Sequence, residues 1–284
     1  MKQKTFLLML VALACTANAF AAEAIKVLYI THLPGKYHDY KAQQAEFKKH
    51  APTFANIDVT YQAENLEKTL SFMKQPEFAK GYDVIVYNIC LAHNTDTDLA
   101  HNMIEQTRKH GVPALLVHCA MHTFWATFGT VDSRGAEKQP ELKENWLAKN
   151  PDTPFPNWAE FSGLNTKKHD HQRPMLIRRA EPLHPIAADF PAEWKIIKDE
   201  LYQNVEVMKT AQPILIAYSE TSKKDHVIAW ENTVADSSVV GITIGHGMET
   251  FTMPSFHDFL ARSILYLGGK LGEDGKPLPG YAGK

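Results

Sequence analysis

The sequence predicts an α/β fold in which one doubly wound, mostly parallel sheet carries an antiparallel extension. Three observations predict it. In the first half, short apolar runs alternate with helix-patterned stretches, the signature of βαβ units joined by right-handed crossovers. Those runs are apolar almost throughout, which suits a sheet covered on both faces. In the second half, short strands follow one another across polar turns, as in antiparallel hairpins.

Taken in order, Ile25–Thr31 is the first strand, and Tyr40–His50 carries helical spacing. Ile57–Tyr61 is a short strand and Leu66–Met73 a short helix. Tyr82–Tyr87 is a continuous apolar strand, followed by a polar helix near Asp96–His110 that Gly111-Val112-Pro113 stops before the strand Ala114–Val117. From Gly129 to Gly163 the alternation breaks down into a proline- and tryptophan-bearing insertion with some helix at Glu141–Lys149. Such a segment is expected to be either an ordered flap near the strand ends or a stretch whose tryptophans pack on the body. Met175–Arg179, Trp194–Ile197, Val205–Met208, Pro213–Ser219 and Val227–Trp230 form the strand-rich second half. Ser238–Ile244 restores the buried parallel type, and the helix Ser255–Leu267 ends at Gly268-Gly269 as a C-cap should. The Gly- and Pro-rich tail, residues 270–284, is expected to pack loosely.

At 284 residues, 44% hydrophobic and 22% charged, the chain can bury a large core. Its formal charge of -2 supplies no electrostatic reason for a nucleic acid or an anionic membrane as partner. Residues 1–22 read as a cleaved signal peptide: Lys2 and Lys4 lead an apolar stretch from Phe6 to Ala14 that is too short to span a bilayer, and small residues follow. The expected product is a periplasmic or secreted protein, with residues 23–269 as its main domain. Cleavage removes Cys15 and leaves Cys90 and Cys119, both just past strand ends. A bridge between them and two free buried thiols are both open, and no CxxC spacing points to a thiolate metal site.

Candidate chemistry gathers at the strand ends, where open α/β sheets bind ligands. His32 closes the first strand, His93 follows the third, His118 ends the fourth and His246 follows the last. Imidazole suits both proton transfer near neutrality and metal ligation. In Val117-His118-Cys119-Ala120-Met121-His122 the two histidines are four apart and share a face if an α-helix has begun, so His118, His122 and His246 are a candidate divalent-metal set. The glutamate of a zincin motif is missing. In Gly245-His246-Gly247 the flanking glycines allow a tight turn and close approach to a ligand. His38 and Asp39 lie in the first β-to-α connection and, with His32, are candidate substrate contacts. Asp199-Glu200-Leu201-Tyr202 offers an acid and a hydroxyl, a weak signal taken alone. His169-Asp170-His171 is either a ligand pair or a polar loop, and composition alone favours the loop.

The order of His38-Asp39, Leu116-Val117-His118, Phe161 to His171, His184-Pro185-Ile186, Asp199-Glu200-Leu201-Tyr202 and Gly245-His246 resembles the ThuA-like (trehalose utilisation) family over nearly the whole mature chain. The resemblance implies a flavodoxin-like, class I glutamine amidotransferase-like fold, a link to carbohydrate metabolism, and a pocket faced by His38, His118, Glu200, Tyr202 and His246. It also makes a divalent metal conceivable. Two departures, Ala235–Val239 in place of a Gly-Lys-Gly-Arg-Val lead-in and Cys119 after the strand-end histidine, bear on the substrate rather than the fold.

Three functions follow as expectations. The first is a sugar-processing enzyme, acting on a sugar or an oxidised (keto) sugar glycoside. His118, Glu200 and His246 would be its catalytic groups, and His38 and Tyr202 would orient the substrate. The second is an amidotransferase-like hydrolase built on Cys119, His246 and Glu249. The third is a non-catalytic sugar-binding protein whose Trp125, Trp146, Trp158 and Trp230 stack on pyranose rings.

Overall fold

The computed structural model describes residues 22–124 and 139–284. Its parallel half is β1 (Ile25–His32), α1 (Tyr40–His50), β2 (Ile57–Glu64), α2 (Leu66–Met73), β3 (Val84–Tyr87), α3 (Thr97–Arg108) and β4 (Ala114–Val117). Then come α4 (Pro140–Lys149), α5 (Trp158–Ser162), β5 (Leu164–His169), β6 (Arg173–Arg179), α6 (Pro185–Ala188), β7 (Glu193–Asp199) and β8 (Tyr202–Val207). The chain continues through β9 (Ala211–Ser219), β10 (Lys224–Val234), β11 (Ser237–Ile242), α7 (Met248–Phe251) and α8 (Pro254–Leu267).

A nine-stranded sheet runs β2-β1-β3-β4-β11-β10-β9-β6-β7, and β5 pairs with β8 in a separate ribbon. The first five strands are mutually parallel and the last four attach antiparallel. The predicted mixed architecture is therefore present. Alternate residues of one strand serve opposite faces, as a pleated strand requires. Val27 and Tyr29 join Phe47 of α1 and Phe259 and Ile264 of α8, whereas Leu28 and Ile30 join Met73 of α2, Met103 of α3 and Trp158 of α5. Helices thus cover both faces, which is why β1 is apolar at every position from Val27 to Ile30 and β3 and β4 are apolar throughout.

Caps account for the helix starts. Asp39, Asn65 and Asp96 accept backbone amides at the N-termini of α1, α2 and α3. The imidazole of His184 does the same for α6, accepting from the Ile186 amide at 3.2 Å. At the end of α8, Gly269 takes φ +66° while its amide and that of Lys270 bond back to Tyr266 and Leu265, closing a Schellman motif.

Three expectations are corrected. No element is expected over Leu164–Lys168 and a polar loop is favoured at His169, yet these residues form β5, and β8 starts at Tyr202 rather than Val205, because the two pair with each other, His169 opposite Tyr202. Trp146 and Trp158 are buried, so the described part of the insertion packs on the body; its residues 129–138 lie outside the described residues. The tail is not loose: Leu271 and Tyr281 pack on the core, the Tyr281 carbonyl accepts from the Asn56 amide at 2.9 Å, and Ala282 bridges Ala55. Among the described residues no helix is long and apolar enough to cross a membrane. Trp125 and the leader-like residues 1–21 also lie outside the described residues.

Candidate active site

The connection after β1 turns back to β2 on one side, and the chain then adds β3 on the other, so a crevice opens where strand order reverses. A cavity of about 380 Å³ lies there. Its walls come from His38 after β1, Cys90 and His93 after β3, His118 and Cys119 after β4, and His246 after β11. The β5–β8 ribbon closes it with His169 and Tyr202, beside Glu200 from the turn between β7 and β8.

Local backbone geometry aims the two central histidines. His118 has φ +49°, the left-handed region, which a residue with a side chain adopts rarely and mostly where surrounding structure enforces it. Its Nδ1 lies 2.6 Å from the Thr243 carbonyl oxygen, an acceptor only, so Nδ1 carries the proton. Nε2 is then a lone pair, which accepts from the Tyr202 hydroxyl at 3.1 Å. His246 sits on a turn held from both sides. The carboxylate of Asp199 accepts the amides of Gly245 (2.9 Å) and His246 (3.2 Å) and the Thr250 hydroxyl, while Gln43 of α1 donates to the carbonyls of Gly245 and His246.

The turn needs only one of its two glycines. Gly245 has φ +116°, and a Cβ there would lie 3.0 Å from the Phe256 ring and 3.2 Å from that of Phe251. Gly247 has an ordinary φ of -107°.

His38, His118 and His246 form a triangle with ring centroids 4.8 to 5.3 Å apart. Glu200 reaches into it, 3.3 Å from His246 Nδ1, 3.7 Å from His118 Nε2 and 3.6 Å from His169 Nδ1. Burial and the neighbouring imidazoles hold His118 well below the usual imidazole range, and burial lowers His38 to about 4. His246 moves the other way, raised by the adjacent Glu200 carboxylate against the effect of burial. Burial would raise Glu200, but His246, His169 and His38 outweigh it and hold the carboxyl below its ordinary value. The cavity therefore sets two imidazoles that disfavour a proton opposite a histidine and a carboxylate that favour each other's charged forms.

The donor set also suits a divalent cation. One nitrogen from each of His38, His118 and His246 lies within 4.8 Å of the others. Nδ1 of His38 donates to the His246 carbonyl at 3.3 Å, which leaves its Nε2 for an ion; Nδ1 of His118 donates to Thr243, and its Nε2 would serve once the Tyr202 hydroxyl turns away. Backbone carbonyls and carboxylates play this orienting part for metal-binding histidines. His246 Nδ1 is buried and, despite its closeness to Glu200, makes no hydrogen bond, leaving one polar atom of the triangle unsatisfied.

The expected residues divide accordingly. His38, His118, Glu200, Tyr202 and His246 come together in the cavity. His122 lines it but is not in the triangle: His118–His122 is a 3-10 helix, whose three residues per turn place the fourth residue on another face. His122 stacks on Tyr202 at 4.3 Å and bonds Thr166 through Nε2. His32 is buried against Tyr40 with Nδ1 on the Pro34 carbonyl, and is not among the cavity-lining residues. The Asp39 carboxylate is engaged as the cap of α1.

Cys119 is disulfide-bonded to Cys90, so it has no thiolate with which to attack, and Glu249 pairs with Lys198 rather than His246. That removes the cysteine triad. Trp146, Trp158 and Trp230 are core residues, so they offer no sugar-stacking platform. Sequence reasoning sets His169 aside in favour of a polar loop, names Asp199 only as part of the Asp199–Tyr202 run without its anchoring role, and misses Gln43, which nothing local marks. His169 reaches the cavity through the pairing of β5 with β8.

Residues 26–267 match the family described as ThuA, trehalose utilisation. Among solved structures, a ThuA-like protein from Parabacteroides merdae is 17% identical over 92% of this chain and 98% of its own, with a TM-score of 0.60. One from Bacteroides uniformis is 18% identical over the same shares, with a TM-score of 0.61. A β-galactosidase from Rahnella is 11% identical over 88% of this chain but 32% of its own, with a TM-score of 0.51. These likenesses show the fold, which is glutamine amidotransferase-like and flavodoxin-like. Among curated proteins none matches the chain.

Proposed function

The chain belongs to the ThuA, trehalose utilisation, family, and from that premise we propose that it is an exported enzyme acting on a sugar or a ring-oxidised sugar glycoside. The observation that carries the reading is the ion pair of His246 and Glu200 facing the neutral His118–Tyr202 pair across one cavity. Neighbouring titratable groups pushed in opposite directions are the arrangement by which one site both gives and takes a proton.

In this reading His246, which keeps its proton to higher pH, is the acid. Glu200, an anion at neutral pH, and the lone pair of His118 are proton acceptors, and Tyr202 and His38 orient the ring hydroxyls. On a sugar bearing a ring ketone, an acceptor removes the hydrogen beside the carbonyl, and the acid protonates the glycosidic oxygen as its bond to carbon breaks. In the alternative in which His38, His118 and His246 hold a divalent ion, these rings would be ligands rather than proton carriers, the ion would polarise a bound oxygen, and Glu200 would remain as the proton acceptor. Lys2, Lys4 and the apolar stretch after them support export, and a Cys90–Cys119 disulfide suits an oxidising compartment.

The test is product formation from trehalose and from trehalose oxidised at one ring hydroxyl. Turnover by the wild type, lost in His118→Ala and in His246→Ala with the fold retained by circular dichroism, supports the reading. Unchanged turnover in both variants, or binding of these sugars with the ligand recovered unaltered, sinks it.

A further inference from the structure

The wall of the cavity beside His38 is the Cys90–Cys119 disulfide. Its two sulfurs and a His38 nitrogen all lie within 4.8 Å of one another, a second three-donor group alongside the histidine triangle. His38 belongs to both. We propose that reduction of this disulfide converts the pocket into a thiolate metal site formed by Cys90, Cys119 and His38, which binds a soft or borderline divalent cation such as zinc.

The chemistry is balanced. A dithiol reductant passes two electrons and two protons to the disulfide, giving two cysteine thiols and the reductant's own disulfide. The incoming cation displaces both thiol protons as two sulfur–metal bonds form. Little movement is required. A tetrahedral ion with bonds of about 2.3 Å to sulfur holds its two sulfurs about 3.8 Å apart. The Cα atoms of Cys90 and Cys119 are already 5.0 Å apart, so side-chain rotation suffices. His38 is set for the same task, since its Nδ1 is on the His246 carbonyl and Nε2 is left as the ligand atom. With three protein donors, one position stays open to water, and the surroundings are largely buried: Cys119 is 8% exposed and His38 likewise 8%.

Two consequences follow from the shared histidine. The thiolate set and the histidine triangle cannot both be filled, and the redox state of the pair decides which exists. The oxidised chain offers only imidazoles, whereas the reduced chain adds thiolates, which hold zinc and copper(I) more strongly.

The test uses the full mature chain and cobalt(II) as the probe. Protein treated with dithiothreitol, freed of it without air, and shown to carry two titratable thiols is titrated with cobalt(II) beside the oxidised protein. The expected result is a near-ultraviolet sulfur-to-cobalt charge-transfer absorption, saturating at one ion per chain, in the reduced form only. Cys90→Ser and Cys119→Ser lose the band, His118→Ala keeps it, and His38→Ala weakens binding roughly tenfold or more. Absence of the band in reduced wild type, undiminished affinity in His38→Ala, or a disulfide that resists reduction in the folded protein overturns the proposal. The inference does not rest on sugar turnover, which is read on the oxidised chain, so the two readings fail separately.

Discussion

Asp199 holds His246 in place by accepting its backbone amide at 3.2 Å, along with those of Gly245 and Glu200 at 2.9 and 2.7 Å. A carboxylate buried to 1% exposure serves as the anchor for the turn that carries His246. Asp199→Asn keeps the shape but turns an amide group toward donors, leaving at least one buried polar group unpaired. A loss of about 2–4 kcal/mol is expected, read as a lower urea midpoint at unchanged slope. A midpoint equal to that of wild type would mean the turn is held without it.

Glu200 is the cause of the raised His246 value. Glu200→Gln removes the charge while keeping the volume, so the His246 titration, followed by its ring proton in NMR, should move to lower pH. If His246 titrates at the same pH in the variant, the ion pair does not operate as described.

Burial holds His257 neutral, down to about 4, with Nε2 donating to the Phe251 carbonyl at 2.7 Å and Nδ1 without a hydrogen bond. The folded value lies below the unfolded one, so the unfolded chain binds the extra proton first as pH falls. The stability this ring contributes is full above about pH 6.5 and is lost between there and about pH 4, by at most about 3 kcal/mol. His38 adds loss in the same window. The melting temperature should therefore fall from pH 6.5 to 4 more steeply in wild type than in His257→Gln. Parallel curves would show that His257 is not buried neutral.

Most of the parallel half was legible because β3 and β4, covered on both faces, are apolar at every position and β1 is so from Val27 to Ile30. β4 starts and stops where Ala114–Val117 does, and α2 where Leu66–Met73 does. Strand β5 was not legible: five of the six residues of Leu164–His169 are polar, and its strand character comes from a partner 33 residues on in the pairing of His169 with Tyr202. His118 and His246 could be picked out because backbone demands sit in the neighbouring letters, a strand end and a flanking glycine. Asp199 and Gln43 could not. Their roles arise from where β7 and α1 come to rest against the turn after β11, which no local pattern records.

The two glycines around His246 look alike in sequence and differ in structure, which makes them a paired test of the turn. At Gly245 an alanine would have to adopt φ +116°, a conformation costing an L-residue about 1–3 kcal/mol. Its methyl group would also press at 3.0 and 3.2 Å on Phe256 and Phe251, two core rings with little room to yield, for a further ~1–3 kcal/mol. At Gly247 the φ is ordinary, and the nearest atom to an added Cβ, at 2.6 Å, is the carboxylate end of Glu249, an exposed and flexible side chain. Gly245→Ala is thus expected to lose about 2–5 kcal/mol in denaturant unfolding, and Gly247→Ala less than about 1. Strain at Gly245 falls on the turn that carries His246, whereas an added Cβ would meet the Cβ of His118 at an ordinary contact distance of 3.6 Å. Cobalt(II) affinity of the oxidised chain should fall in Gly245→Ala and hold in Gly247→Ala; equal effects at the two positions would show that the turn is not set by Gly245.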